Sequence, residues 1–173
     1  WGNNTVKGKS KRTASIERKT KETNIQMSLN LDGQGKYAIT TSIPFFDHML
    51  SLMCKHGLFD MKLKAKGDLE VDFHHTVEDV GIVFGKAIQK ALGSMEGINR
   101  YGQASVPMDE ALASVSLDIS GRPYLVYRVA VPKRSKIRNF DPDLIEDFLQ
   151  AFVSNSRLTL HIESHYGRNT HHI

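Results

Sequence analysis

Two His-His pairs, His74-His75 and His171-His172, stand 97 residues apart in a chain of 173 residues, and the segments leading to them correspond. Ahead of the first pair lie Phe46-Asp47-His48-Met49-Leu50-Ser51-Leu52-Met53, a strand-like run from Met61 to Ala65, and Gly67. Ahead of the second lie Ile145-Glu146-Asp147-Phe148-Leu149-Gln150-Ala151-Phe152, a run from Leu158 to Ile162, and Gly167. His48 falls opposite Asp147, and Leu31-Asp32-Gly33-Gln34-Gly35-Lys36-Tyr37 opposite Leu117-Asp118-Ile119-Ser120-Gly121-Arg122-Pro123-Tyr124. A duplication of about a hundred residues accounts for all of this, and self-similarity at a fixed period constrains a fold before any local feature does.

The local patterns are those of an α+β protein. Strands are expected at Thr13 to Lys19, Ile25 to Leu31 and Lys36 to Thr41, the last two joined by the turn-forming Asp32-Gly33-Gln34-Gly35. Phe45 to His56 has helical spacing through Met49, Leu50, Leu52 and Met53 and ends near Gly57. Met61 to Lys66 and Leu69 to Phe73 read as two more strands around Gly67-Asp68. His74 to Leu92 reads as a long amphipathic helix with Val77, Val80, Val83, Phe84, Ala87 and Leu92 inward. The second half repeats the plan with strands Ala111 to Ser120 and Tyr124 to Val131, a helix from Asp141 to Asn155 and a strand from Arg157 to Glu163. The expected architecture is two halves, each a mostly antiparallel sheet with two helices on one face, the helices packed between the sheets. A flexible segment 1–12 would precede a half-repeat 13–100 and a second 101–173, which stops before the helix that should follow His171-His172.

Composition narrows the classes. No apolar run nears the roughly eighteen residues that span a bilayer, and no signal peptide is announced, so a soluble intracellular or mature chain is expected, without a membrane partner. Cys54 is the single cysteine, which excludes an intrachain disulfide and, between Met53 and Lys55, reads as a buried thiol. The net charge of +4 gathers in Lys7, Lys9, Lys11, Arg12, Arg18, Lys19 and Lys21. That cluster reads as a solvated tail, and no aromatic-interleaved basic strand of the kind that stacks bases accompanies it, so no nucleic-acid partner is expected.

On a helix, residues three or four apart share a face while immediate neighbours diverge by about 100°. His75 and Glu78 can therefore grip one ion while His74 points towards another. A polar helix start would explain one such pair; two in matching contexts point to metal chemistry, since imidazole is the commonest metal ligand. If each site joins the helix of one half to the His-His segment of the other, His48, His75, Glu78 and His172 would hold one ion, and His74, Asp147 and His171 a second. Nitrogen and carboxylate donors suit Mn, Fe, Co, Ni or Zn and exclude a sulfur-bound structural zinc. Imidazoles with open coordination positions serve catalysis.

Pro44-Phe45-Phe46-Asp47-His48-Met49-Leu50, His74-His75-Thr76-Val77-Glu78-Asp79, Asp118-Ile119-Ser120-Gly121-Arg122-Pro123-Tyr124 and Asn169-Thr170-His171-His172 closely resemble imidazoleglycerol-phosphate dehydratase of histidine biosynthesis. The resemblance runs from about Arg18 to Ile173. It implies a duplicated fold of the kind whose halves also occur in ribosomal proteins, two Mn²⁺ ions per site, and trimers assembled into a 24-subunit particle with sites at subunit interfaces. It implies a cytoplasmic lyase, or a plastid one in a plant, that dehydrates imidazole glycerol phosphate to imidazole acetol phosphate. Two metals would bind both nitrogens of the substrate's imidazolate and make the ring the electron sink.

Residue by residue, the resemblance makes Glu22 the contact to the glycerol hydroxyls and an acid/base, with Glu78 as a second catalytic carboxylate. It makes Arg100 and Arg122 phosphate ligands, for which guanidinium forks are suited. The substrate would meet the segment from His48 to His56, and also His74, His75 and His171. His161 and His165 are left to local hydrogen bonds. Two departures stand out: Asp147 replaces a histidine ligand found in many members, and a further Glu ligand with basic phosphate contacts is expected beyond Ile173. The second metal site of the chain as given would then be incomplete, which puts its own activity in question. Two other classes fit part of the pattern, a two-metal phosphoesterase and a non-catalytic RNA-binding or scaffold module; the sparse acidic clusters disfavour the first, and fold alone does not decide function.

Overall fold

Strict alternation governs the first sheet. In the computed structural model, which describes residues 12–132 and 137–173, the strands β2 (Thr23–Asn30) and β4 (Asp60–Gly67) bury every second residue, and β1 (Thr13–Lys19) turns every second residue at least half inward. Ile25, Met27 and Leu29 of β2 and Met61, Leu63 and Ala65 of β4 are at most 4 % exposed, while Lys62, Lys64 and Lys66 face outward. With β3 (Tyr37–Thr40) they form a sheet in the order β1-β2-β4-β3.

Helix α1 (Pro44–Gly57) has proline in its first turn, where a missing N–H costs nothing, and ends at Leu58 in the left-handed region. It buries Phe46, Leu50 and Cys54, at i, i+4 and i+8. Met49, expected inward, is 38 % exposed. Helix α2 (His74–Leu92) has the predicted bounds and buries Val77, Val80, Val83, Phe84 and Ala87.

The second half repeats the first: β5 (Tyr101–Met108), β6 (Ala111–Asp118), β7 (Tyr124–Arg128), α3 (Leu144–Ser156) and β8 (Thr159–Tyr166) make a sheet of order β5-β6-β8-β7. The molecule is therefore α+β and duplicated, as its sequence indicates. The registers refine the internal alignment. Thr13 pairs with Asn30 as Tyr101 pairs with Asp118, so Leu29, not Leu31, is the counterpart of Leu117.

Three local expectations fail. Leu69 to Phe73 is a turn closed by Val71 N–H on Asp68 C=O, because helix α2 begins at once and leaves no strand partner. The turn after β2 does not close a hairpin: β4 inserts between β2 and β3, and β3 runs parallel to it. Strand β5, rich in small residues and containing Pro107, carries too weak an alternation to be read locally, yet it pairs with β6 along its whole length. Of the segment expected to be flexible, residues 1–11, with Lys7, Lys9 and Lys11, lie outside the described residues; Arg12 is fixed by a bidentate pair with Asp32. Among the described residues no helix is long and apolar enough to cross a membrane.

The halves meet where α2 crosses α3, at two glycines. A methyl group on Gly81 would lie 2.5 Å from the carbonyl oxygen of Phe148, and one on Gly85 2.5 Å from that of Phe152 and 2.8 Å from the backbone nitrogen of Ser156. Aromatic rings extend the seam: Phe84 stacks on Phe152 at 4.8 Å, and Phe46 meets Phe148 edge-on at 5.3 Å. Gly85→Ala gains about 1 kcal/mol of helix propensity, but backbone atoms cannot move aside, and overpacking costs about 1–3 kcal/mol. Urea unfolding should show Gly85→Ala less stable than the parent; a more stable variant would mean that the helices are not in close contact.

Candidate active site

Both His-His pairs start with the same turn. The Asp72 side chain accepts the backbone N–H of His74 at 2.8 Å, and the Asn169 side chain accepts that of His171 at 3.0 Å, each two residues on. At His74 this satisfies a backbone donor that the start of α2 leaves open. In each pair the two rings stand edge to face, with ring planes at 75° for His74 and His75 and 81° for His171 and His172.

The outer member of each pair is held by a carboxylate. Nδ1 of His75 lies 3.0 Å from Asp68 Oδ2, and Nδ1 of His172 lies 2.8 Å from Glu110 Oε2. Such a bond fixes the ring and its tautomer and turns Nε2 away from the carboxylate, the usual arrangement behind a metal-ligating histidine; Nε2 of His172 lies 3.2 Å from the side-chain amide nitrogen of Asn169. Glu110 also accepts the backbone N–H groups of Arg168 and Asn169. Its carboxyl is held down at about 2, chiefly by His172 and then by Asn169. The hydrogen bond that Nδ1–H of His75 donates to Asp68 raises the imidazole above its ordinary value.

The inner members meet the helices. His74 lies between Asp147 of α3, 3.3 Å from Nδ1, and Glu78 one turn along α2, 3.6 Å from Nε2. His171 stacks obliquely on His48, with centroids 5.5 Å apart, and its edge meets Phe45. His48 and His171 line a cavity of about 450 Å³ with Ile43, Phe73 and Phe140. Asp47, beside His48, accepts both the backbone N–H and the hydroxyl of Thr41 and so fixes the start of α1.

The structure thus brings His74 to Asp147, as the duplicated pattern anticipates, but places His48 beside His171 rather than with His75, Glu78 and His172. No three His, Cys, Asp or Glu among the described residues converge closely enough in one chain to hold an ion. His56 is exposed in the last turn of α1, about 12 Å along the axis from His48 by helical rise, and does not line that cavity. Arg100 grips Asp118 through two bonds of 2.6 and 3.0 Å, and Arg122 comes within 3.8 Å of the same carboxylate. Glu22 is exposed in the β1–β2 turn. His165 bonds Ser114 at 2.7 Å.

Asp68 and Glu110 escaped sequence reasoning. One signal could have found Glu110: by strand register it occupies in the β5–β6 turn the place that Glu22 occupies in the β1–β2 turn. Asp68 follows Gly67, itself part of the repeat, but nothing local points it at His75.

Residues 41–173 match the family model for imidazoleglycerol-phosphate dehydratase. The chain is 59 % identical to the protein of that name from Geobacter metallireducens, over 94 % of this chain and 83 % of the relative. It is 56 % identical to the one from Acetivibrio thermocellus, over the same shares. The crystal structure of the Staphylococcus aureus imidazoleglycerol-phosphate dehydratase superposes with a TM-score of 0.82 at 38 % identity, covering 92 % of this chain and 88 % of that one. The Pyrococcus furiosus structure gives 0.78 at 36 %, covering 91 % and 83 %.

A histidine raised by its fold contributes stability that is complete below its unfolded value, near 6.5, and is lost as pH rises through the folded value. Asp68→Asn should therefore destabilise the metal-free protein more at about pH 6 than at about pH 8, and NMR should find the His75 midpoint lowered towards the ordinary imidazole value. An unchanged midpoint would show that the Asp68 bond does not persist in solution.

Proposed function

The chain belongs to the imidazoleglycerol-phosphate dehydratase family, hydro-lyases of histidine biosynthesis, and from that premise we propose that it dehydrates imidazole glycerol phosphate at a site holding two Mn²⁺ ions. The observation that carries the metal reading is the repeated carboxylate–imidazole pair, Asp68 with His75 and Glu110 with His172, which commits Nδ1 of each ring and leaves Nε2 to a ligand, in His172 against only a weak contact of 3.2 Å from the Asn169 side-chain amide.

The donors fit such ions in kind: five imidazoles and the carboxylates of Glu78 and Asp147 are hard or borderline ligands, with no thiolate among them. His48, His75, Glu78 and His172 would hold one ion, and His74, Asp147 and His171 the other. Because these residues form separate groups within one chain, the reading requires neighbouring copies to complete each site, in trimers and then a 24-subunit particle. The bound ions would supply Lewis acidity to the substrate's imidazole ring, so that the ring accepts electron density as the hydroxyl leaves.

The chain's own residues do the rest. Glu22, on a turn that reaches past the strand ends, contacts the glycerol hydroxyls and moves a proton from the carbon next to the one losing hydroxide. Proton and hydroxide together make the water released, and the enol left behind becomes a ketone. Arg100 and Arg122 bind the phosphate; Asp118 holds the Arg100 guanidinium by one edge and leaves its remaining N–H groups to the ligand. A cytoplasmic enzyme is the reading that bacterial relatives support.

With Mn²⁺ present, His75→Ala and His172→Ala should each reduce turnover about a hundredfold or more, with little change in metal-free folding. Retention of more than about a tenth of parental activity by either would remove that residue from the ligand set. Product analysis should find a dehydrated ketone and no released inorganic phosphate, which a phosphoesterase would produce. Ligands that span an interface couple binding to association, so chelation should release smaller species in light scattering. One unchanged mass across the titration would count against shared sites.

A further inference from the structure

Asp79 is the one carboxylate on α2 that is buried, at 7 % exposure, and the chemistry above gives it no task. It lies four residues after His75, on the same face of the helix. Its two oxygens face the first hairpin. One accepts Nε of Arg18 at 2.9 Å, and the other accepts a short hydrogen bond from the Thr23 hydroxyl. Thr23 is 3 % exposed and directly follows Glu22. The turn carrying Glu22 is closed from its other side by Thr20, whose hydroxyl accepts the backbone N–H groups of Glu22 and Thr23 at 3.1 and 2.9 Å. Thr20 N–H in turn bonds Thr23 C=O at 2.8 Å. Asp79 therefore joins the turn of Glu22 to the helix face that carries His75.

The second hairpin provides the contrast. Register equates Thr23 with Ala111 and Glu22 with Glu110. Ala111 has no hydroxyl to offer, and Glu110 is bonded to His172. In the first hairpin the corresponding ring, His75, is taken by Asp68, and among the described residues the Glu22 carboxylate has no hydrogen-bond partner. The duplication has thus given one turn carboxylate to orienting a ring and left the other open.

We infer that Asp79 is a positioning residue that, through Thr23 and Arg18, sets where the Glu22 carboxylate stands relative to His75. This rests on the reading of Glu22 as the group that moves the substrate proton. A half-buried ion pair that only stabilised the fold would predict a different outcome, because its loss would lower stability and leave turnover per folded molecule unchanged.

The experiment is a double-mutant cycle on the Mn²⁺-loaded full chain, with kcat, KM and the thermal midpoint recorded for Asp79→Asn, Glu22→Gln and the pair. Asp79→Asn should lower kcat about tenfold with KM within about twofold, and in the Glu22→Gln background it should change kcat by less than about twofold. Thr23→Val, which removes the hydroxyl and keeps the shape, should reproduce the kcat loss, and Thr23→Ser should restore it. This arm decides the matter if Asp79→Asn does not fold. Additive losses in the cycle, or Thr23→Val at parental kcat, would overturn the inference while leaving Glu22 in its role. Parental turnover in Glu22→Gln would overturn both that role and the inference built on it.

Discussion

The crossing of α2 over α3 is the contact on which the rest of the molecule depends. Gly81 and Gly85 each cost about 1 kcal/mol of helix propensity relative to alanine. Their absent side chains let the carbonyls of Phe148 and Phe152 approach the helix surface directly. Close packing across that seam offsets the cost through many small dispersion contacts, with the stack of Phe84 on Phe152 continuing it. The same approach brings His74 of one half within 3.3 Å of Asp147 of the other. A wider crossing would part these side chains before it unfolded anything.

Orientation of the imidazoles follows a second rule, that a ring is useful only when one nitrogen is committed. Asp68 commits His75, and Glu110 commits His172, from very different distances along the chain: one carboxylate lies seven residues upstream and the other sixty-two. The local solution in the first half and the long-range one in the second give the same chemical result, a ring with Nδ1 committed to a carboxylate. Because Asp68 is followed at once by the turn into α2, its geometry depends on that turn. Glu110 depends on the β5–β6 hairpin, and so on the strand that sequence patterning failed to show.

Divergence between the halves is concentrated at these turns rather than in the sheets. Sheet order repeats, register repeats apart from a shift between Leu112 and Ala113 next to the β5–β6 turn, and Arg12 with Asp32 mirrors Arg100 with Asp118 at the ends of corresponding strands. Thr23 and Ala111 differ at one equally buried place, and with that difference goes the clamp on Asp79. A sheet tolerates little change because slipping by one residue turns its apolar face outward, whereas a turn can be refitted one side chain at a time.

The sequence by itself determined the duplication, the alternation of β1, β2 and β4, the bounds of α2 and the divergence of each His-His pair. All of these are set by spacing along the chain: a period of two or 3.6 residues, a turn residue two places before a histidine, a repeat at fixed offset. The sequence also carried the family's motifs, and hence the fold and the class of reaction. Only the tertiary structure decided that β4 separates β2 from β3, that β5 is a strand, that His48 faces His171, and that Asp68, Glu110 and Asp79 stand behind the site. Those contacts join segments whose separation encodes nothing about them, and they exist because packing the sheets and helices together brings particular surfaces into contact.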